Sequence, residues 1–299
     1  MNAQQELSPT ALATIRATLL GDGGEAFLRL LVHLNLGRAL GREEHSALAV
    51  ARQTGLVEFG RIALTPLGWL VADPMREYFW WRERDGRLHE EGQHECLSLA
   101  YYTGKTVLEP GSGFGCNLLS MCRAPGRFVG VEPVALYRQL TPVFAEREGL
   151  PVPSIVDGSG EALPFAAGEF DIVVCYSAHQ YMDVRAALVE MARVLRPGGQ
   201  LQIVGGVLSL PLMTRRWCRN PRVGALKKEL LTIANTWAYE RTGRRLYTPR
   251  GPGATGAPIY PSVKFMHRWL QEAGLQVRGD LSRALTAEHC FIAEKASIG

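Results

Sequence analysis

Residues 107–119 read VLEPGSGFGCNLL, and the fold class turns on this stretch. Lys105–Leu108 reads as a short apolar strand, Gly111, Gly113 and Gly115 as a glycine-rich turn, and Asn117–Cys122 as the start of a helix. Glycine tolerates positive φ and lets a backbone approach a ligand closely. At the end of a parallel strand, such a turn is where α/β sheets bind nucleotides. The dinucleotide fingerprint GxGxxG does not fit. The third glycine comes one residue early, at Gly115, Cys116 stands in its place, and the acidic Glu109 precedes the glycines. Both departures argue against NAD and FAD.

Beyond this turn, strands alternate with helices. Arg127–Val131, Asp171–Cys175 and Gln200–Gly205 read as strands, with helices at Leu136–Arg147 and Val184–Leu195. Past a long insert, Ser262–Ala273 reads as a helix, and Leu275–Leu281 and His289–Lys295 as two closing strands. That alternation predicts an α/β domain with a mostly parallel sheet.

The pattern E-x-G-x-G-x-G after two apolar residues resembles the first motif of the class I S-adenosylmethionine-dependent methyltransferases. Three further segments carry the resemblance. FVGVEP places Glu132 at the end of the second strand, seventeen residues after Gly115. GSGEALPFAAGEFDIVVCYSAHQYMD spans Gly158–Asp183, and RVLRPGGQLQIV spans Arg193–Val204, read as a helix ending at Pro197-Gly198-Gly199 before the fifth strand. Together the four cover residues 105–205. The resemblance implies a Rossmann-like α/β fold, with a mostly parallel seven-stranded sheet and helices on both faces. It implies S-adenosylmethionine as cofactor, with Gly111, Gly113 and Gly115 under its methionine and ribose part. Glu109 would face the methionine ammonium. Glu132 would hold the ribose, because a carboxylate accepts from two hydroxyls. Ser159, with Gly160 and Glu161, would meet the adenine; Ser159 stands where the family often has Asp, and Asp157 is the competing residue. Tyr176 and Ser177 would lie near the sulfonium.

The cofactor carries an activated methyl group, so the protein's main work is alignment of an in-line displacement. A hydroxyl acceptor also needs its proton removed, often by His. His179 follows the fourth strand and is the candidate base among seven histidines; packing of the loop is the competing role. Gln180 and Tyr181 are candidate acceptor-site residues. The insert 207–261 is read as a partly helical lid that selects the acceptor, with Trp217 and Trp237 facing it. No metal site is expected.

The first hundred residues read differently. Helical spacing at 10–20 and 25–40, a short helix Ser46–Gln53 ending at Gly55, and a hairpin about Gly60 suggest a winged-helix-like arrangement. Thr65-Pro66 then starts another helix, Thr65 as N-cap and Pro66 at the first position. The expected domains are 1–95, helical, for dimerisation or acceptor cover, and 96–299, the methyltransferase domain. Only Arg52 and Gln53 could read bases from Ser46–Gly55, so nucleic acid is disfavoured as a partner. Tyr78, Phe79, Trp80 and Trp81 cannot all face one way on a helix; some are expected to pack against the second domain or line a pocket.

The chain has 299 residues, 46% hydrophobic and 21% charged, which supports a packed core and excludes disordered and fibrous classes. Six scattered cysteines form no CxxC pair, so neither a zinc nor a thioredoxin-type site is suggested. Free thiols, the absence of a signal-like start and the lack of a spanning apolar run predict a soluble, cytoplasmic protein. The net charge is only +4, but Arg215–Arg250 holds ten basic and two acidic residues, so that segment carries +8 and the rest −4. Arg244 and Arg245 are therefore candidates for an anionic small-molecule acceptor, free or carried on an acidic protein. The alternatives are an RNA or protein methyltransferase, or a non-catalytic cofactor- or DNA-binding regulator.

Overall fold

The structure is a computed structural model, and it describes residues 6–84, 98–205, 218, 223–247, 258–280 and 289–297. The chain divides into two compact units, Met1–Thr103 with Ser112–Asp157, and Gly104–Gly111 with Gly158–Gly299.

The first unit begins with helices α1 (Pro9–Leu20), α2 (Gly24–Leu36), α3 (Arg42–Ser46), α4 (Leu48–Gln53), α5 (Pro66–Arg84) and α6 (Leu99–Tyr102). Local chemistry sets several of their ends. Ser8 caps α1 by accepting from the Ala11 N–H at 3.2 Å, and Pro9 needs no partner for its nitrogen. Thr65 caps α5, its hydroxyl accepting from Gly68 N–H at 2.9 Å. The helix expected at Ser46–Gln53 is α4, Leu48–Gln53, and a further short helix, α3, precedes it and ends at Ser46. The expected hairpin about Gly60 is a single antiparallel bridge, Val57 to Leu64. Too few residues flank the turn to extend the ladder before Thr65 starts α5.

The same unit holds α7 (Cys116–Met121), β2 (Arg127–Val131), α8 (Ala135–Glu148) and β3 (Ser154–Val156). Its core resolves the aromatic run on α5. Tyr78 and Trp81, three apart and so on one face, are buried, while Phe79 and Trp80 are half-buried. Tyr78 stacks on Phe144 at 4.2 Å between centroids and meets Phe114 edge-on at 6.2 Å. Its hydroxyl donates to the Glu148 carboxylate. Trp81 Nε1 donates to Ser120 Oγ at 2.8 Å. Aromatic pairs of this kind contribute roughly 0.5–1.5 kcal/mol beyond the area they bury. The N-terminal helices therefore share one core with Phe114, Leu119 and the buried face of α8.

The second unit holds β1 (Thr106–Pro110), β4 (Phe170–Tyr176), α9 (Val184–Val194), β5 (Leu195–Gly205), α10 (Val223–Thr242), α11 (Val263–Glu272), β6 (Leu275–Asp280) and β7 (His289–Lys295). The strand order is β3-β2-β1-β4-β5-β7-β6. β1 pairs parallel with β4, β4 with β5, and β2 with β3. β7 runs antiparallel to both β5 and β6. A mostly parallel seven-stranded α/β sheet is thus present. β1 and β4 are buried along nearly their whole length, as parallel strands are.

Two local readings are corrected. α9 ends at Val194, and β5 begins at Leu195, before Pro197-Gly198-Gly199. The three residues sit in a bulge: Phe170 pairs with Leu195 and Ile172 with Gln200, and Gly198 takes φ +72°. β3 gives no strand pattern in the sequence because it has three residues and follows Pro151 and Pro153. Among the described residues, no helix is long and apolar enough to cross a membrane.

Candidate active site

The glycine turn passes from the second unit into the first between Gly111 and Ser112, and its two ends differ in surroundings. Gly111 has φ +70°, and a Cβ there would stand 2.5 Å from Ala178 Cβ and 2.9 Å from Met182 Cε. Gly113 has φ +57° and nothing within 4 Å of where its Cβ would be. The first glycine is forced by packing, and the second leaves open space beside the backbone. Gly115, also at positive φ, forms the N-terminal boundary of α7.

Glu132 follows β2 and is only 5% exposed. Its Oε2 accepts from Gly113 N–H at 3.0 Å and its Oε1 from Val134 N–H at 2.9 Å. A carboxylate has about four acceptor positions, so each oxygen keeps one for a further donor. Burial raises the carboxyl's pKa, opposed by the Val134 and Gly113 N–H groups and by Arg138. Arg138 also donates to Asp157 Oδ1 at 2.9 Å. Asp157 is thereby held on an exposed side chain.

In the second unit, Glu109 is buried at the end of β1. Ser159 forms an isolated bridge with Ala162. Gly160 packs against Met182, with a would-be Cβ 2.5 Å from its Sδ. Glu161 Oε1 accepts from Asp183 N–H at 2.8 Å. Tyr176 pairs with Val204 at the end of β4. Ser177 takes φ +50°, the one described non-glycine residue at positive φ, and its N–H donates to Val204 O at 2.7 Å. Such a backbone costs about 1–2 kcal/mol and persists where the surroundings over-determine it.

His179, Gln180 and Tyr181 form one turn of 3-10 helix after β4. His179 is buried, and its ring lies against the end of β5, since a Cβ on Gly205 would stand 2.9 Å from His179 Cε1. Gln180 is buried, and its Oε1 has no hydrogen-bond partner among the described residues. Tyr181 is exposed. Cys175, fully buried on β4, has its thiol pushed up to about 12 by burial, which keeps it protonated and unreactive.

The insert residues separate. Trp217 lies outside the described residues. Trp237 on α10 is exposed, with the Arg241 guanidinium 4.3 Å from its ring centroid. Arg244 is exposed. Arg245 is half-buried and donates through Nη2 to Met182 O at 2.6 Å. Arg215, Arg216, Arg219, Arg222 and Arg250 lie outside the described residues. The second unit thus brings Gly111, Gly160, Glu161 and Arg245 to Met182 and Asp183, while Trp237 and Arg244 point to solvent. Sequence reading missed Met182, Asp183 and Tyr239. Asp183 carried a signal, being an N-cap residue before an apolar-periodic helix, and it does cap α9 through Ala186 N–H at 3.2 Å. Met182 carried none.

Residues 108–203 match the family described as a methyltransferase domain. Over that stretch, about a third of its length, the chain is similar to methyltransferase domains. It is 33% identical over 127 residues to an uncharacterized methyltransferase, YcgJ, of Bacillus subtilis, covering 40% of this chain and 49% of that one. It is 34% identical over 122 residues to phthiotriol/phenolphthiotriol dimycocerosates methyltransferase 1 of Mycobacterium ulcerans, covering 40% and 44%. The chain spans about half the length of these curated relatives. Among solved structures it is similar to magnesium protoporphyrin IX methyltransferase of Synechocystis, at 13% identity and TM-score 0.47, over 95% of this chain and 99% of that one.

The residues present fit the family's cofactor. The open space beside Gly113 admits a ligand against the backbone, and Glu132 retains acceptor positions for a ribose diol.

Proposed function

We propose that the protein transfers a methyl group from S-adenosylmethionine to a small-molecule acceptor, in specialised metabolism. One observation carries the reading: buried Glu132 is tied to the Gly113 amide at 3.0 Å, beside backbone that has nothing over it. A desolvated carboxylate set against an open glycine is costly to keep unless something binds there. The domain match over residues 108–203 points the same way.

S-adenosylmethionine supplies a methyl group on a positively charged sulfur. The chain's own groups align and shield it. Gly111, Gly113 and Gly115 form the floor, Glu132 accepts from the ribose hydroxyls, and Glu109 faces the methionine ammonium. Ser159, with Gly160 and Glu161, meets the adenine. Tyr176 and Ser177, after β4, border the sulfur. His179 takes the acceptor's proton when the acceptor is a hydroxyl. Gln180, with an unused buried oxygen, and Tyr181 contact the acceptor, with Trp217 and Trp237 from the insert. Arg244, exposed beside α10, meets an anionic acceptor.

Residues 1–95 are assigned to acceptor cover and to pairing of two copies. Exposed Phe59, Ile62 and Trp69 support pairing. The chain is placed in the cytoplasm, without nucleic acid as a partner.

Calorimetric titration with S-adenosylmethionine tests the central claim. Binding at one site per chain is expected; no heat above dilution at ligand concentrations well above ordinary cofactor levels rejects it.

A further inference from the structure

Two side chains from the region after β5 hold the turn that follows β4. On α10, Tyr239 donates its hydroxyl to Asp183 Oδ1 at 2.5 Å and accepts from Arg185 N–H at 3.2 Å. Arg245, just past α10, donates to Met182 O at 2.6 Å. A backbone contact adds to these, Ile259 N–H donating to Gln180 O at 2.9 Å. Three contacts thereby pin residues 180, 182 and 183.

What these contacts hold in place is Met182. Its thioether fills the gap left by two glycines, since Cβ atoms on Gly111 and Gly160 would stand 2.9 Å and 2.5 Å from it. Gly111 belongs to the segment read as the cofactor's floor, and Gly160 to the segment read as meeting the adenine. Asp183, next along, donates its N–H to Glu161 Oε1 at 2.8 Å. The latch is buried where it matters. Tyr239 is 2% exposed, and burial, with the Asp183 hydrogen bond, pushes its pKa up, so it stays a donor at working pH.

We propose that Arg245 and Tyr239 are positioning residues: they latch the 179–183 turn so that Met182 seats on Gly111 and Gly160 and sets the shape of the cofactor site. The ordinary alternative for Arg245 is an anion ligand reaching for substrate. Its Nη2 is instead committed to a backbone carbonyl inside the protein. A charge-assisted hydrogen bond to a carbonyl in a half-buried place holds geometry well. The proposal rests on the methyltransferase reading of the glycine turn.

The test uses full-length Arg245→Met, Arg245→Lys and Tyr239→Phe. S-adenosylhomocysteine affinity is measured by calorimetry, and amide hydrogen exchange is followed across residues 178–186. Arg245→Met is expected to weaken binding roughly tenfold and Tyr239→Phe about fivefold, from the loss of one buried hydrogen bond each. Arg245→Lys, which keeps a cationic donor, is expected to recover most of the affinity. Exchange at Tyr181 and Met182, whose N–H groups bond to Ala178 O at 2.9 Å and His179 O at 3.2 Å, should quicken in the Met and Phe variants. Exchange in the first unit should not change, which separates a latch from general loss of stability. If Arg245→Met does not fold, Tyr239→Phe and Arg245→Lys still decide. Unchanged affinity in folded variants of a protein that binds the ligand overturns the latch. If the parent protein itself does not bind, the methyltransferase reading falls; unchanged local exchange then overturns the latch, and quickened exchange upholds it.

Discussion

The glycine turn at 111–115 and the turn at 177–183 reach their shapes differently. The first is shaped by its own residues: three glycines at positive φ and a carboxylate, Glu132, that closes on Gly113. The second is held by side chains 56 and 63 residues further along the chain, Tyr239 and Arg245. A remotely held turn depends on contacts with a distant part of the chain.

The comparison breaks most sharply at the glycines. Gly111→Ala places a Cβ in the left-handed region and into Ala178. The backbone term is about 1–2 kcal/mol and overpacking adds about 1–3, so urea unfolding should show a loss of about 3 kcal/mol. Gly113→Ala meets no atom and should cost only about 1–2 kcal/mol, the backbone term alone. Its affinity for S-adenosylhomocysteine should nonetheless fall by roughly tenfold or more as the approach to the backbone closes. Unchanged affinity in Gly113→Ala would mean that the open space beside Gly113 is not a ligand's.

Next in size is Glu132→Ala. Hydrogen bonds to a charged group are worth about 1.5–3 kcal/mol. Calorimetry should therefore show cofactor affinity reduced by roughly thirtyfold, about 2 kcal/mol. Unchanged affinity would reject the ribose assignment. Tyr78→Phe removes the hydroxyl that donates to Glu148, and should cost about 1–2 kcal/mol in urea unfolding. A cost near zero would show that the aromatic stack alone anchors α5 near the glycine turn.

The smallest effect is a pH dependence. Burial raises the folded Glu132 pKa above its ordinary 4.5. Between those two values the folded protein binds more protons than the unfolded chain, so this group's contribution to stability falls as pH rises through the window. In ligand-free protein, Glu132→Gln should flatten that fall. An unchanged slope of stability against pH would show that Gly113 and Val134 N–H groups fully offset the burial.

Much of the sheet was legible in the chain. Its strands carry continuous apolar runs such as Ile172–Cys175, and the helix Val184–Val194 shows apolar spacing at Val184, Ala187, Leu188 and Met191. β3 was not legible, because three residues carry no period. Nor was the bulge at Pro197–Gly199, since Pro-Gly-Gly marks a turn in sequence whether or not the strand resumes on both sides. On α10, Trp237 and Tyr239 are both aromatic, and no local pattern separates them. Two residues apart on a helix, they face nearly opposite ways, so burying Tyr239 leaves Trp237 exposed.

The sequence by itself determined the strand–glycine–helix turn, the acid after β2 and the α/β class, because backbone permissiveness, charge and periodicity act over a few neighbouring residues. Only the tertiary structure decided which of three glycines is packed and which is open, that Arg245 faces a carbonyl, and that Met182 sits over the glycine floor. Those outcomes depend on atoms brought together from distant parts of the chain, and no local pattern records them.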